Sequence, residues 1–225
     1  MIVDMVSDLH GFYPEMPGGD LLIVAGDLTS RDTHGEYIGF YSWLHKQNYK
    51  HYIFIAGNHD NLLEKENMLA RCLAHSSYLC DSGTEFEGLK IWGSPYTLRF
   101  SHMNPKCMAF TVDDDYELSR HWAKIPDDTD ILVTHSPSWG MHDTVEDYPS
   151  GEILNVGSRS LLHWSADHYN TLKLHVYGHI HEGYGVWDQR KLQKRFNGKE
   201  GSVFVNASHV NERYLPVNKP IRIIL

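Results

Sequence analysis

Five short β-type runs, each ending in a cluster of Asp, His, Asn or Gly, constrain this chain more than any other feature. Met1–Val6 leads into Ser7-Asp8-Leu9-His10-Gly11, Leu21–Ala25 into Gly26-Asp27, and Tyr52–Ala56 into Gly57-Asn58-His59-Asp60. Ile131–Val133 leads into Thr134-His135, and Leu174–Tyr177 into Gly178-His179-Ile180-His181. Short apolar runs bounded by such residues read as buried strands. Between them, Glu36–Asn48 repeats Tyr37, Phe40, Tyr41 and Leu44 at helical spacing, and Asn61–Ala74 places Leu62, Leu69 and Leu73 on one stripe. Asp115–Lys124 and Ser158–His168 read as weaker helices, Glu87-Gly88 as a hairpin turn, and Val203–Val205 and Ile221–Leu225 as late strands. Strands alternating with helices imply parallel βαβ units whose faces are covered. Open α/β sheets bind ligands beyond the carboxyl ends of their strands. All five clusters follow a strand, so the organisation predicts one composite site.

At 225 residues the chain fits one α/β domain spanning 1–225. An apolar fraction of 41% with 22% charged residues excludes disorder, collagen and coiled coil. A net charge of −9 disfavours wrapping duplex nucleic acid, whose binding depends on neutralising phosphates. Cys72, Cys80 and Cys107 form no C-x-x-C pair, which argues against a disulfide framework or zinc ribbon and for buried thiols in a reducing compartment. The first basic residue is Arg31, and no apolar run approaches the ~18 residues of a spanning helix. A cytoplasmic protein without a membrane partner is the expectation.

The clusters collect Asp8, His10, Asp27, Asn58, His59, His135, His179 and His181. Oxygen and imidazole donors without thiolate suit Mn²⁺, Fe or Zn²⁺. The set exceeds what one ion needs and fits two ions sharing a carboxylate, about 3.5–4 Å apart. Gly26, Gly57 and Gly178 permit the tight turns this requires. Each piece alone has a plainer account: Gly-Asn-His-Asp can be a turn with a helix cap. Gly-His-Ile-His is the most telling, since two histidines two apart on an extended segment can flank one point.

The whole series, with W-G-S-P at Trp92–Pro95, T-D-I-L-V-T-H-S-P at Thr129–Pro137, L-H-V-Y-G-H-I-H-E-G-Y-G at Leu174–Gly185 and V-N-A-S at Val205–Ser208, resembles the calcineurin-like metallophosphoesterases. Within them it is most similar to the metallophosphoesterase-domain-containing branch, which is like the class III cyclic nucleotide phosphodiesterases. The resemblance covers essentially the whole chain. It implies an α/β fold of four layers, a β-sandwich of two mixed sheets flanked by helices. It also implies that Asp8, His10, Asp27 and His181 hold one divalent ion and that Asp27, Asn58, His135 and His179 hold the other, Asp27 bridging. Mn²⁺ is favoured, with Fe or Zn²⁺ as alternatives. Some vertebrate members carry glycine where this chain has His179, so the chain is expected to keep a complete pair. The implied reaction is in-line hydrolysis of a small phosphodiester, most favourably a cyclic nucleotide, by a hydroxide bridging the ions. His59 would be the general acid.

The wider superfamily often has Gly-Asp-x-x-Asp-Arg, the second Asp supporting the histidine; this chain has Ser30 there, leaving Asp32 or Asp60 as substitutes. Arg31 falls where that pattern has a phosphate-binding arginine. His142 and Trp139, after the His135 strand, are further candidates for substrate contact; Trp139, Tyr96 and Phe100 could stack a base or simply pack the rim. The basic stretch Arg190 to Lys199 reads as a solvated hairpin around Asn197-Gly198. The remaining readings are a phosphomonoesterase or nucleotidase on the same ions, a nuclease, or a non-catalytic metal-binding scaffold.

Overall fold

The computed structural model of the chain describes residues 1–65, 76–99, 104–190 and 201–225. It begins with β1 (Ile2–Val6), β2 (Gly19–Ala25), α1 (His34–Leu44), β3 (Tyr49–Ile55), α2 (Asn61–Lys65) and β4 (Ser76–Tyr78). A hairpin of β5 (Ser82–Phe86) and β6 (Leu89–Ser94) follows, then β7 (Thr97–Leu98), β8 (Thr111–Val112), α3 (Asp115–Trp122) and β9 (Ile131–Thr134). The chain continues through β10 (Thr144–Glu146), β11 (Ile153–Asn155), α4 (Arg159–Asp167), β12 (Leu174–Tyr177), β13 (Gly185–Asp188), β14 (Val203–Asn206) and β15 (Ile221–Ile224).

Two large sheets result, ordered β15-β1-β2-β3-β4 and β13-β14-β12-β9-β6-β5. β1 to β4 are parallel, and β15 lies antiparallel on β1 with Ile2 opposite Ile224. β14, β12, β9 and β6 are parallel, and β13 and β5 flank them antiparallel. The open parallel sheet expected from strand–helix alternation is corrected to two mixed sheets, as the resemblance implied.

Side-chain alternation explains the layering, because successive strand residues face opposite sides. Val3, Met5, Leu21, Ile23, Ile53 and Ile55 face the second sheet and pack with Ile131, Val133, Leu174, Val176, Val203 and Val205. Leu22, Val24 and Phe54 face outward, under Tyr37, Phe40, Trp43 and Leu44 of α1. On the far side Leu132 packs with Leu118 and Trp122 of α3 and Leu161 of α4. Burying a side chain of this size contributes about 1.5–3 kcal/mol, so strands apolar on both faces are driven between two layers. The order is helix, sheet, sheet, helix.

Helix ends differ from the periodicity for identifiable reasons. α1 starts two residues before Glu36 because Thr33 and Glu36 form a reciprocal capping box. It stops at Leu44 because Tyr49 already pairs with Gly19. Asp114 and Ser158 accept backbone N–H groups at the starts of α3 and α4. The helix expected over Asn61–Ala74 is seen over Asn61–Lys65; its remainder, Cys72, Phe100 and residues 191–200 lie outside the described residues. No helix among the described residues is long and apolar enough to cross a membrane.

Candidate metal centre

The segments after β1, β2 and β3 of one sheet and after β9 and β12 of the other converge. Asp8, His10, Asp27 and His179 all sit at positive φ, between 44° and 68°. That region is uncommon for residues other than glycine, though Asp and His tolerate it better than most. Four such turns in one place are strain gathered at a functional position. Glycine permits the approach of the two halves: a Cβ on Gly57 would lie 2.8 Å from His135 Cε1, and one on Gly178 2.2 Å from Asp8 Oδ2. The Gly178–His181 segment is not the extended stretch expected from its sequence. β12 ends at Tyr177, His179 is left-handed, and His181 opens a 3₁₀ turn.

Asp27 lies at the centre. Its Oδ2 is 3.6 Å from His10 Nε2, and its Oδ1 is 3.5 Å from His135 Nε2 and accepts the His59 N–H at 2.9 Å. Asp8 Oδ1 is 3.4 Å from His181 Nε2, which is 3.4 Å from His10 Nε2. Asp8 also accepts the His179 N–H and, at 2.7 Å, the Ser208 hydroxyl. Three overlapping triplets hold donor atoms within 4.8 Å of one another: Asp8, His10 and His181; Asp8, Asp27 and His135; His10, Asp27 and His59. His179 packs its ring 5.0 Å from that of His135.

The donor chemistry fits cations. His135 Nδ1 lies 3.0 Å from the Ala25 carbonyl, and His181 Nδ1 3.2 Å from that of Asn211. A carbonyl only accepts, so each Nδ1 carries its hydrogen and each Nε2 is left to ligate. Asn58 donates its amide to the Cys107 carbonyl, so its Oδ1 faces His135 Nε2 at 3.1 Å. Two acceptors that close need a proton or a cation near them. His10 Nδ1 is buried without a hydrogen-bond partner.

The electrostatics agree. Burial would raise the Asp8 and Asp27 carboxyls, but the surrounding imidazoles outweigh it and keep both well below the ordinary range. Burial lowers His10 to about 4, despite Asp27, and His179 to about 3, assisted by His135. Burial also opposes a proton on His135 and His181, yet Asp27 lifts the first to about 9 and Asp8 raises the second. Without cations, then, the two buried carboxylates draw the His135 and His181 imidazoles toward their protonated forms.

Neither acidic candidate reaches the His59 ring. Asp60 is buried and accepts N–H groups from Leu28, Thr29 and Gly57, so it clamps the β2 turn to the β3 turn. Burial, then Asp27, pushes its carboxyl up to about 7 against those bonds. Asp32 accepts the Tyr37 hydroxyl and the Leu62 N–H. The group on His59 Nδ1 is Cys107 Sγ, at 3.5 Å. Burial raises the Cys107 thiol, so it is neutral. Sequence reading missed that partner, because Cys107 is distant in the chain and carries no motif. It also missed Tyr214, whose ring lies 4.8 Å from His10 and 5.1 Å from His181, and Ser208, although the V-N-A-S motif contained it.

His59, 12% exposed at its side chain, borders a cavity of about 540 Å³ together with Arg31 and Cys107. Trp139 and His142 are not among the residues lining it. Trp139 carries the Arg159 guanidinium over its ring, and His142 is half-buried with Nδ1 3.4 Å from the Tyr177 hydroxyl. Tyr96 stacks on His121 and meets Phe110 edge-on, which is packing.

Comparison with known proteins agrees with this geometry. The chain is 32% identical over 246 aligned residues to human metallophosphoesterase domain-containing protein 1, covering 98% of this chain and 69% of that one. A UPF0046 protein of Caenorhabditis elegans is 30% identical, with 98% and 78% covered. One solved structure superposes with a TM-score of 0.60 at 12% identity, covering 91% of this chain and 89% of its own, which bears on fold alone. The profile of one family, described as calcineurin-like phosphoesterase, matches residues 2–183, and the chain belongs to that family.

Proposed function

We propose that the chain is a phosphodiesterase for a small phosphodiester, a cyclic nucleotide by preference, working with two divalent cations, Mn²⁺ favoured. The observation that carries the reading is Asp27, whose two carboxylate oxygens face different imidazoles, His10 at 3.6 Å and His135 at 3.5 Å. Asp8, His10 and His181 gather on one side of it, Asn58 and His135 on the other, with His179 packed beside His135. When bound, the ions activate water at neutral pH and neutralise charge on the phosphate. The protein's own groups do the rest. Arg31 offers a planar fork that matches phosphate oxygens. His59, with Nε2 3.9 Å from Asp27 Oδ2 and facing the cavity, delivers a proton to the departing alkoxide. The reading takes residues 1–225 as one domain, and the pairing of β15 with β1 and of β14 with β12 supports it.

The test is hydrolysis in Mn²⁺ of bis-p-nitrophenyl phosphate, p-nitrophenyl phosphate and 2′,3′- and 3′,5′-cyclic nucleotides, with His59→Ala alongside. The wild type is expected to open a ring and cleave the aryl diester. His59→Ala should slow alkoxide departure by about 10²–10⁴ and p-nitrophenolate departure far less. Turnover of the monoester alone would replace this reading with a phosphomonoesterase. Equal slowing for good and poor leaving groups would remove His59 from the acid role.

A further inference from the structure

Among the described residues most Lys and Arg side chains are neutralised. Lys50, Lys90, Lys124 and Lys173 each pair with a carboxylate, as do Arg99, Arg190, Arg213 and Arg222. Arg120 and Arg159 lie over aromatic rings. Among the described residues five Lys and Arg side chains have no such partner, and three of them, Arg31, Lys65 and Lys106, line the cavity that His59 borders. One carboxylate also stands in its wall, Asp32, whose Oδ1 accepts the Tyr37 hydroxyl and the Leu62 N–H, so three cations face one anion there.

This gathering is built. The Glu36 carboxylate accepts the N–H groups of Ser30 and Arg31 and fixes the loop that carries Arg31. Asn61 donates to the Lys106 carbonyl at 2.7 Å, and the Cys107 N–H bonds to the Asn104 carbonyl, so the Lys106 segment is tied to the turn that bears His59. Lys65 ends α2, four residues beyond Asn61. Three segments thus bring a net excess of positive charge to one concavity, which raises the local concentration of anions. At about 540 Å³ the cavity is the size of a small-molecule site.

We propose that Lys65 and Lys106, with Arg31, form a subsite for a second anionic group, so that the preferred substrate is a phosphoester whose leaving alcohol carries a further phosphate. The assignment to the leaving side rests on the proposed role of His59, since the group it protonates departs toward the cavity it lines. A bounded cavity on a chain of net charge −9 favours a small ligand over a nucleic-acid strand.

Calorimetric binding to the Mn²⁺-loaded full chain tests this without turnover. Adenosine 3′,5′-bisphosphate is compared with AMP for the wild type and for Lys65→Gln with Lys106→Gln; both lysines are exposed, so the fold survives. The wild type is expected to prefer the bisphosphate by about tenfold, a preference that added salt weakens and the double variant loses. Equal affinity in the wild type, or a preference that survives both substitutions, overturns the subsite. Tighter binding of a short single-stranded oligonucleotide, with the same dependence on the lysines, overturns the small-molecule occupant. Hydrolysis of bis-p-nitrophenyl phosphate is measured in parallel. Its absence would sink the phosphodiesterase reading, while the calorimetry still decides the subsite.

Discussion

The two sheets contribute unlike halves to one site. The first brings all of the negative charge, as Asp8 and Asp27, together with His10, Asn58 and His59; the second brings only imidazoles, His135, His179 and His181. The first half is held by its backbone, with Asp8, His10 and Asp27 in left-handed turns and Asp60 clamping two of those turns together. In the second half, two of the three imidazoles are oriented through Nδ1–H bonds to main-chain carbonyls. Negative charge sits on short side chains at strained turns, and imidazoles are steered from behind. On the proposed reading, the first arrangement sets how much cation the site demands, and the second sets where it goes.

Asp27→Ala, in the first half, should give the largest effect: both ions lost and activity at background. Metal analysis checks this against His181→Ala, expected to lose the ion on the Asp8 side and keep about one equivalent. Equal loss from both variants would break the asymmetry. Next comes Gly178→Ala in the second half, whose new Cβ would fall 2.0 Å from Ser7 Oγ and 2.2 Å from Asp8 Oδ2. Metal affinity should fall about 10–100-fold, read by competition with a chromogenic chelator, and unchanged affinity would show that the halves need not approach so closely. Cys107→Ala should lower kcat by about tenfold or less with KM little changed, because the ring loses one weak partner. Partial recovery in Cys107→Ser separates orientation from packing.

The remaining effect, on stability and not on catalysis, lies behind the second half and leaves activity near pH 7 least changed. His175, in β12, is lowered to about 3 by burial, from an ordinary 6.5. The unfolded chain therefore gains a proton that the native state refuses as pH falls from about 6.5 toward 3. Stability from this group is complete above that window and is lost through it, by up to ~1.4 kcal/mol per pH unit. His175→Phe should flatten that limb in urea melts at several pH values. Thr134 would keep its bond to the Ser136 carbonyl.

The alternation that marked β1, β2, β3, β9 and β12 was legible because those strands are apolar on both faces and end in residues that tolerate sharp turns. The eight clustered side chains were legible for the same reason, since strand ends on adjoining sheets must meet. What was hidden depends on distance along the chain. Cys107 reaches His59 across 48 residues, and Tyr214 reaches His10 from the far end of the sequence, with no periodicity to announce either. The acidic supports proposed for His59 failed because Asp32 and Asp60 carry backbone demands that local reading does not count.

Among the bonds that join the halves, one orients an imidazole. His135 belongs to the second sheet, yet its Nδ1–H is received by Ala25, the last residue of β2 in the first. The separation of the sheets is therefore a dimension of the coordination site. Ala25 packs in the same inter-sheet core as Ile55 and Val133. Substitutions that thicken or thin that layer would tilt the His135 ring; if His135 ligates as proposed, interior packing becomes a route by which metal selectivity can drift.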